Sequence, residues 1–270
     1  MAQIIAIHSF RGGTGKSNLI ANLAATMAQH GQRVGIVDTD IQSPGIHVLF
    51  GLNEEKMNRA LNDYLWGRCN IKDTAYDVSH TLMAQEETNT INGKVYLIPC
   101  SIKAGEIARV LREGYDVVRL NDGFQELIRC LNLDYLLIDT HPGLNEETLL
   151  SIGISNVLVV ILRPDSQDFQ GTAVTVDVAR KLKVPKMLLV VNKVLPAFDF
   201  ADLQKQVETT YNVSVAGILP LSEEMIQLAS RGIFCLRYSG HPISQRMKEI
   251  AKQIVGESET KKVLIASDRL

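Results

Sequence analysis

The chain has 270 residues, 46% of them hydrophobic, and 28 Lys and Arg against 30 Asp and Glu give a formal net charge of -2. The length suits one large α/β domain better than two small ones, and the charge balance excludes the globally basic character typical of a DNA-binding domain. Cys69, Cys100, Cys130 and Cys235 stand far apart and form no C-x-x-C, which argues against a disulfide framework or a cysteine metal site.

The N-terminal MAQIIAIHSF has neither a basic n-region nor a long apolar stretch, so no signal peptide is expected. No apolar run approaches the ~18 residues that span a bilayer. A soluble, cytoplasmic protein is expected. Downstream, short apolar runs alternate with longer amphipathic ones, the pattern of a βαβ series. Strands are predicted at Gln3–His8, Arg33–Asp38, Val95–Pro99, Tyr135–Asp139, Val157–Leu162, Lys186–Asn192 and Val215–Leu219. Most are apolar throughout, as strands covered by helices on both faces must be. Leu19, Ile20, Leu23, Ala24 and Met27 recur at helical spacing and Gly31 ends the run, which predicts a helix over Ser17–His30. Further helices are expected at Gly123–Leu131, Gly171–Leu182, Ala201–Thr210, Glu223–Ser230 and Ile243–Val255. The stretch Asn53–Gly93 is less regular: LNDYLWG suggests a short helix, and AQEETNTING a polar surface loop. ESETKKVLIASDRL has one short apolar patch, Val263–Ile265, and reads as a frayed or docked tail rather than a membrane anchor.

The first strand runs into HSFRGGTGKSN. The phosphate-loop pattern is G-x-x-x-x-G-K-[ST], and here Phe10 stands where the first Gly belongs. The cradle survives that change, because Gly12, Gly13 and Gly15 still let successive backbone N–H groups turn inward. Gly12, Gly13, Thr14, Gly15, Lys16, Ser17 and Asn18 are therefore the predicted nucleotide-binding stretch. Lys16 supplies a point charge for the β- and γ-phosphates, and Ser17 a hydroxyl for Mg²⁺. Arg11 adds a second cation. Three partners are open to it: its own nucleotide, an acidic neighbour, or a phosphate bound by another subunit.

Asp38 and Asp40 close the second strand, at the sheet end where α/β folds bind ligands. Residues two apart point the same way, so both carboxylates can face the phosphates; the alternative is an Asp cluster capping a turn. In YLLIDTHPGL, four apolar residues run into Asp139, placed to touch Mg²⁺ or a water on it. His141 follows, and a lone His there is expected to be structural, with His141→Ala lowering turnover less than tenfold. Asn192 and Lys193 follow a buried strand, where an amide suits the adenine edge.

RGGTGKS resembles the loop of the deviant Walker A ATPases typified by MinD and ParA, KGGxGK[ST], with Arg11 at the signature-lysine position. The resemblance extends in order from Ile4 to Val255 and thins over 53–93. It implies a P-loop NTPase fold: a doubly wound, mostly parallel α/β sheet with helices on both faces. It implies one ATPase domain over 1–256, followed by a tail over 257–270. It further implies that Asp40 orients the attacking water, that Ser17, Asp38 and Asp139 serve Mg²⁺, and that Arg11 crosses a dimer as an arginine finger. QSPG resembles the first switch segment. Asn192 and Lys193, with Pro220 and Leu221 of ILPLSEE, correspond to the base-binding segments. RPDSQDFQGT resembles a loop leading into a helix at the dimer face, and Asp165 and Asp168 either lie near that face or cap the helix.

The expected function is an ATPase with ATP or ADP and Mg²⁺ as ligands, switching between monomer and ATP-dependent homodimer to position or regulate an unidentified protein partner or cargo. Nucleic acid is not favoured, and membrane association has no clear anchor. The alternative is a hydrolysis-deficient, nucleotide-sensing scaffold. Iron–sulfur carriers on this fold bring a C-x-x-C, and tyrosine kinases a C-terminal tyrosine cluster; here only Tyr238 lies near the end.

Overall fold

In the computed structural model, residues 2–82 and 92–256 are described. Residues 84–91 of the predicted polar loop, and the tail from 257 onward, lie outside them. β1 (Gln3–His8) leads through the glycine-rich loop into α1 (Lys16–Gln29) and β2 (Arg33–Asp38). Short helices α2 (Ile46–Leu49) and α3 (Leu61–Leu65) precede β3 (Tyr76–Asp77), β4 (Lys94–Ile98), α4 (Ala104–Glu113) and α5 (Val117–Cys130). The second half runs β5 (Tyr135–Asp139), α6 (Glu146–Ile154), β6 (Val157–Leu162), α7 (Ser166–Lys181), β7 (Lys186–Val194), α8 (Phe200–Tyr211) and β8 (Val215–Pro220). It closes with α9 (Glu223–Leu228), α10 (Phe234–Arg237) and α11 (Pro242–Val255).

The sheet order is β3-β4-β2-β5-β1-β6-β7-β8, parallel except for the two-residue β3, which runs antiparallel to β4. All seven predicted strands form, with ends within two residues of expectation. Their lack of alternation has a visible cause in β1. Ile5 and Ile7 pack with Leu19 and Leu23 of α1 and Ile250 of α11. Ile4 and Ala6 face the opposite layer, Ile4 with Phe124 of α5 and Ala6 with Val176 of α7. A strand covered twice has no solvent side for polar residues.

Four helices, α2, α4, α6 and α10, were not predicted, and α5 and α7 start several residues earlier than predicted. α4 buries only Val110, so its sequence carries little core signal. α6 is nine residues long and lies between Gly143 and a loop. α5 starts at Val117, where the Asp116 side chain accepts from the N–H groups of Val118 and Arg119. α7 starts at Ser166, with the Asp165 side chain capping Gln167 and Asp168. Both early starts replace a boundary read at a glycine. A Cβ on Gly123 would lie 2.8 Å from the Tyr64 ring, and one on Gly171 would lie 2.3 Å from the Phe10 ring. These glycines are inside their helices because an aromatic ring rests on the backbone.

The Phe10–Gly171 contact fastens the residue that replaces the loop's first glycine to α7. Overpacking costs about 1–3 kcal/mol, while Gly→Ala in a helix gains up to about 1 kcal/mol. Gly171→Ala is therefore expected to destabilise the protein when Phe10 is present and to stabilise it in a Phe10→Ala background. Urea unfolding of the four proteins in this cycle checks the reversal of sign.

Candidate functional site

The loop between β1 and α1 is prepared for an anion. Gly15 sits at the helix N-cap with φ 100°, and the first turn of α1 has neither a capping side chain nor an acidic residue. Its N–H groups are left without side-chain acceptors, and the positive end of a 14-residue helix points at the loop. A Cβ on Gly15 would also lie 2.6 Å from Asn192 Nδ2. Lys16 is buried at the same helix end.

Adjacent strands bring the carboxylates together. Asp38 and Asp139 are register partners at the ends of β2 and β5. Ser17 Oγ donates to Asp139 Oδ2 at 2.7 Å, and the backbone N–H of Asp40 donates to Asp38 Oδ1 at 3.0 Å. Asp38 Oδ2 and Asp139 Oδ1 are buried without a hydrogen-bond partner. Buried carboxylate oxygens without partners are costly, and Asp139 is also the carboxylate that the Ser17 hydroxyl and the Lys16 charge reach. They fit a hydrated Mg²⁺, which takes one or two protein carboxylates together with phosphate and water. Among the described residues, no three His, Cys, Asp or Glu side chains form a metal-holding group by themselves.

Burial raises Asp38 well above the ordinary carboxylate range, and the neighbouring Asp139 and Asp40 add to the rise. Asp139 is raised to about 6, chiefly by burial, with Lys16 and the Ser17 hydroxyl pulling the other way. A carboxyl whose pKa rises on folding stabilises the fold below its unfolded value of 3.8, and that contribution is lost as pH rises through the folded value. Without ligand, melting temperature should therefore fall from pH 4 to pH 7. Asp38→Asn should flatten that fall and raise the ligand-free melting temperature at pH 7.5 above wild type. Thermal unfolding across pH, with the exposed Asp122→Asn as a control, checks both.

Asp40 lies beside this pair, and His141, expected to be structural, has its Nδ1 2.7 Å from Asp40 Oδ1. His8 was legible only as a strand end. The Thr140 hydroxyl donates to Ile7 O, so it accepts from the N–H at Nδ1 of His8. Burial, helped by Lys16 and His141, lowers His8 to about 3 and keeps the ring neutral. A histidine directly before the phosphate loop was the available signal.

Arg11 takes the acidic-neighbour option in this structure. Its guanidinium lies 3.5 Å from Asp165 and 3.6 Å from Asp168. Asp168 is already engaged, accepting from Arg163 N at 2.9 Å and Arg163 Nε at 3.0 Å. Asp165 and Asp168 thus serve the helix cap and this charge cluster together. At the other end of the site, Asn192 Nδ2 donates to Thr14 O at 2.8 Å, and its Oδ1 accepts from Lys193 N. Lys193 Nζ donates to Gly13 O at 2.7 Å. These two residues hold the phosphate loop from outside, beyond the base contact expected of them; Nδ2 keeps a second N–H for a ligand. Leu221 N pairs with Val194 O, which brings Pro220 and Leu221 beside Asn192 and Lys193. Asn18 offers its carbonyl to Asn22 and lies in the first turn of α1.

Comparison with known proteins supports the family and the fold. The ParA family model, described as the NUBPL iron-transfer P-loop NTPase, matches residues 1–255. An uncharacterized ATP-binding protein of Methanocaldococcus jannaschii is 27% identical over 97% of this chain and 92% of its own length. An iron-sulfur cluster carrier protein of Pyrococcus horikoshii is 23% identical over 94% of this chain and 85% of its own. The septum site-determining protein MinD of Pyrococcus horikoshii, solved with Mg-ADP, shares the fold: TM-score 0.77 at 21% identity, covering 97% of this chain and 99% of that one.

Proposed function

Because the chain belongs to the ParA family of P-loop NTPases, we propose that it binds and hydrolyses Mg²⁺·ATP and that ATP joins two copies into a dimer. The observation that carries the reading is the convergence on one loop of a buried lysine, an uncapped helix N-terminus and two buried carboxylate oxygens without partners. The loop N–H groups and Lys16 hold the phosphates, and Ser17, Asp38 and Asp139 hold the metal's shell. Bound Mg²⁺ supplies charge neutralisation at the transferring phosphoryl group. Asp40 orients the attacking water, and Asn192, Lys193, Pro220 and Leu221 line the base. The product is a change of assembly that a protein partner or cargo reads.

Arg11 supports the dimer. Its side chain is 40% exposed, and its two contacts are longer than those of Arg163 to the same Asp168. The Asp165 pair is exposed on both sides and worth about 0–1 kcal/mol, and the buried Asp168 keeps its closer Arg163 partner when the guanidinium leaves. Mass in solution by light scattering tests this. Wild type should double in mass with ATP and Mg²⁺ but not with ADP, and Arg11→Ala should stay monomeric in both. An Arg11→Ala protein that dimerises as wild type would confine Arg11 to its own subunit.

The family description and the carrier relative raise cluster carriage as a second reading. This chain has no C-x-x-C. Cys100 and Cys235 are buried, and Cys100 Sγ donates to the Asp38 carbonyl. The thiols are therefore not arranged as a carrier needs, and the ATP-driven switch is favoured. No helix among the described residues is long and apolar enough to cross a membrane.

A further inference from the structure

We propose that His141 is a positioning residue for hydrolysis, fixing the Asp40 carboxylate so that one oxygen is presented to the attacking water. The inference rests on the hydrolytic reading above. Asp40 lies next to two other carboxylates, Asp38 and Asp139, whose charges repel its own. It also belongs to an irregular segment, since β2 has ended at Asp38. Left to itself, this side chain has reason to swing away from the site. Oδ1 is instead held by two donors, His141 Nδ1 at 2.7 Å and Ser43 N at 3.3 Å. Oδ2 takes no hydrogen bond from the described residues and is the oxygen left for water.

His141 can serve as an anchor because its own segment is fastened to the phosphate loop. Thr140 N and Oγ1 both donate to Ile7 O, and Gly143 N donates to Ser9 O. The His141 carbonyl accepts from Thr148 Oγ1 of α6 at 3.3 Å. The imidazole thus transfers the rigidity of β1, β5 and α6 to a carboxylate on a loop. A carboxylate oxygen only accepts, so Nδ1 carries the hydrogen and the ring acts as a donor. No change of its charge is needed. A misplacement of about 1 Å in such a group costs as much as 10²-fold in rate.

Steady-state turnover and nucleotide affinity of wild type, Asp40→Ala, His141→Ala, His141→Asn, His141→Gln and the Asp40→Ala/His141→Ala double variant test the inference. The Asn amide places an N–H near the position of Nδ1, whereas Gln carries its amide one bond further. The contact with Asp40 raises the loss expected from sequence alone: His141→Ala and His141→Gln should lower kcat at least tenfold rather than less than tenfold, with nucleotide Kd within threefold of wild type. His141→Asn should recover kcat to within threefold, and the double variant should be no slower than Asp40→Ala. His141→Asn as slow as His141→Ala, or His141→Ala within threefold of wild type, would overturn the inference while leaving hydrolysis intact. A wild type without turnover overturns both. Should the alanine variant fail to fold, long-range ¹H–¹⁵N spectra of wild type decide: a hydrogen on Nδ1 supports the pairing, and one on Nε2 alone overturns it.

Discussion

Lys16→Ala is expected to weaken Mg²⁺·ATP binding by about two orders of magnitude, from the ~3 kcal/mol typical of removing one partner of a buried charge pair. The loop amides and the end of α1 would remain, but they are partial charges. Lys16 is the buried full positive charge in a site that already holds Asp38, Asp40 and Asp139. Without it, a triphosphate would meet those carboxylates with only the metal to offset them. Arg11 does not replace it, because its guanidinium is turned toward Asp165 and Asp168. The fold should persist, since Asp139 retains the Ser17 hydrogen bond and can take up a proton. Calorimetric titration with a non-hydrolysable ATP analogue, beside a thermal melt of the same preparation, measures both quantities. Affinity within threefold of wild type would mean that the phosphates lodge elsewhere.

The parts of this site legible in the sequence are those in which neighbours in the chain are also neighbours in space. Gly12 to Ser17 form one loop, and Asp38 and Asp139 are recognisable because each ends an apolar strand. The strands were legible because burial on both faces leaves continuous apolar runs, as in Tyr135–Asp139. The family resemblance then supplied expected roles that local patterns do not contain, such as a water-orienting part for Asp40.

What stayed hidden were pairings across the fold. His141 and Asp40 are 101 positions apart, and Asn192 and Thr14 are 178 apart. No periodicity encodes such a contact, since it depends on which strands become adjacent. Gly123 and Gly171 misled for a related reason: locally, a glycine signals the edge of a helix, and only the rings of Tyr64 and Phe10 show why it sits inside one. Arg11 was conspicuous in sequence, yet its partners were open until α7 placed Asp165 and Asp168 beside the loop.

Asp40→Ala should separate assembly from turnover. A positioned acid or base contributes about 10²–10⁴-fold, so kcat should fall by at least two orders of magnitude. Nucleotide affinity should hold or increase, because removing Asp40 relieves its repulsion of Asp38 and Asp139. If hydrolysis is the step that parts the subunits, the variant will remain dimeric in ATP and Mg²⁺ long after wild type has returned to monomer. Light scattering followed over one turnover time of wild type makes the comparison. A nucleotide-sensing scaffold that never hydrolyses would give the same persistence in wild type and variant. An Asp40→Ala protein that stays monomeric in saturating ATP and Mg²⁺ would remove the switch while leaving the phosphate site in place.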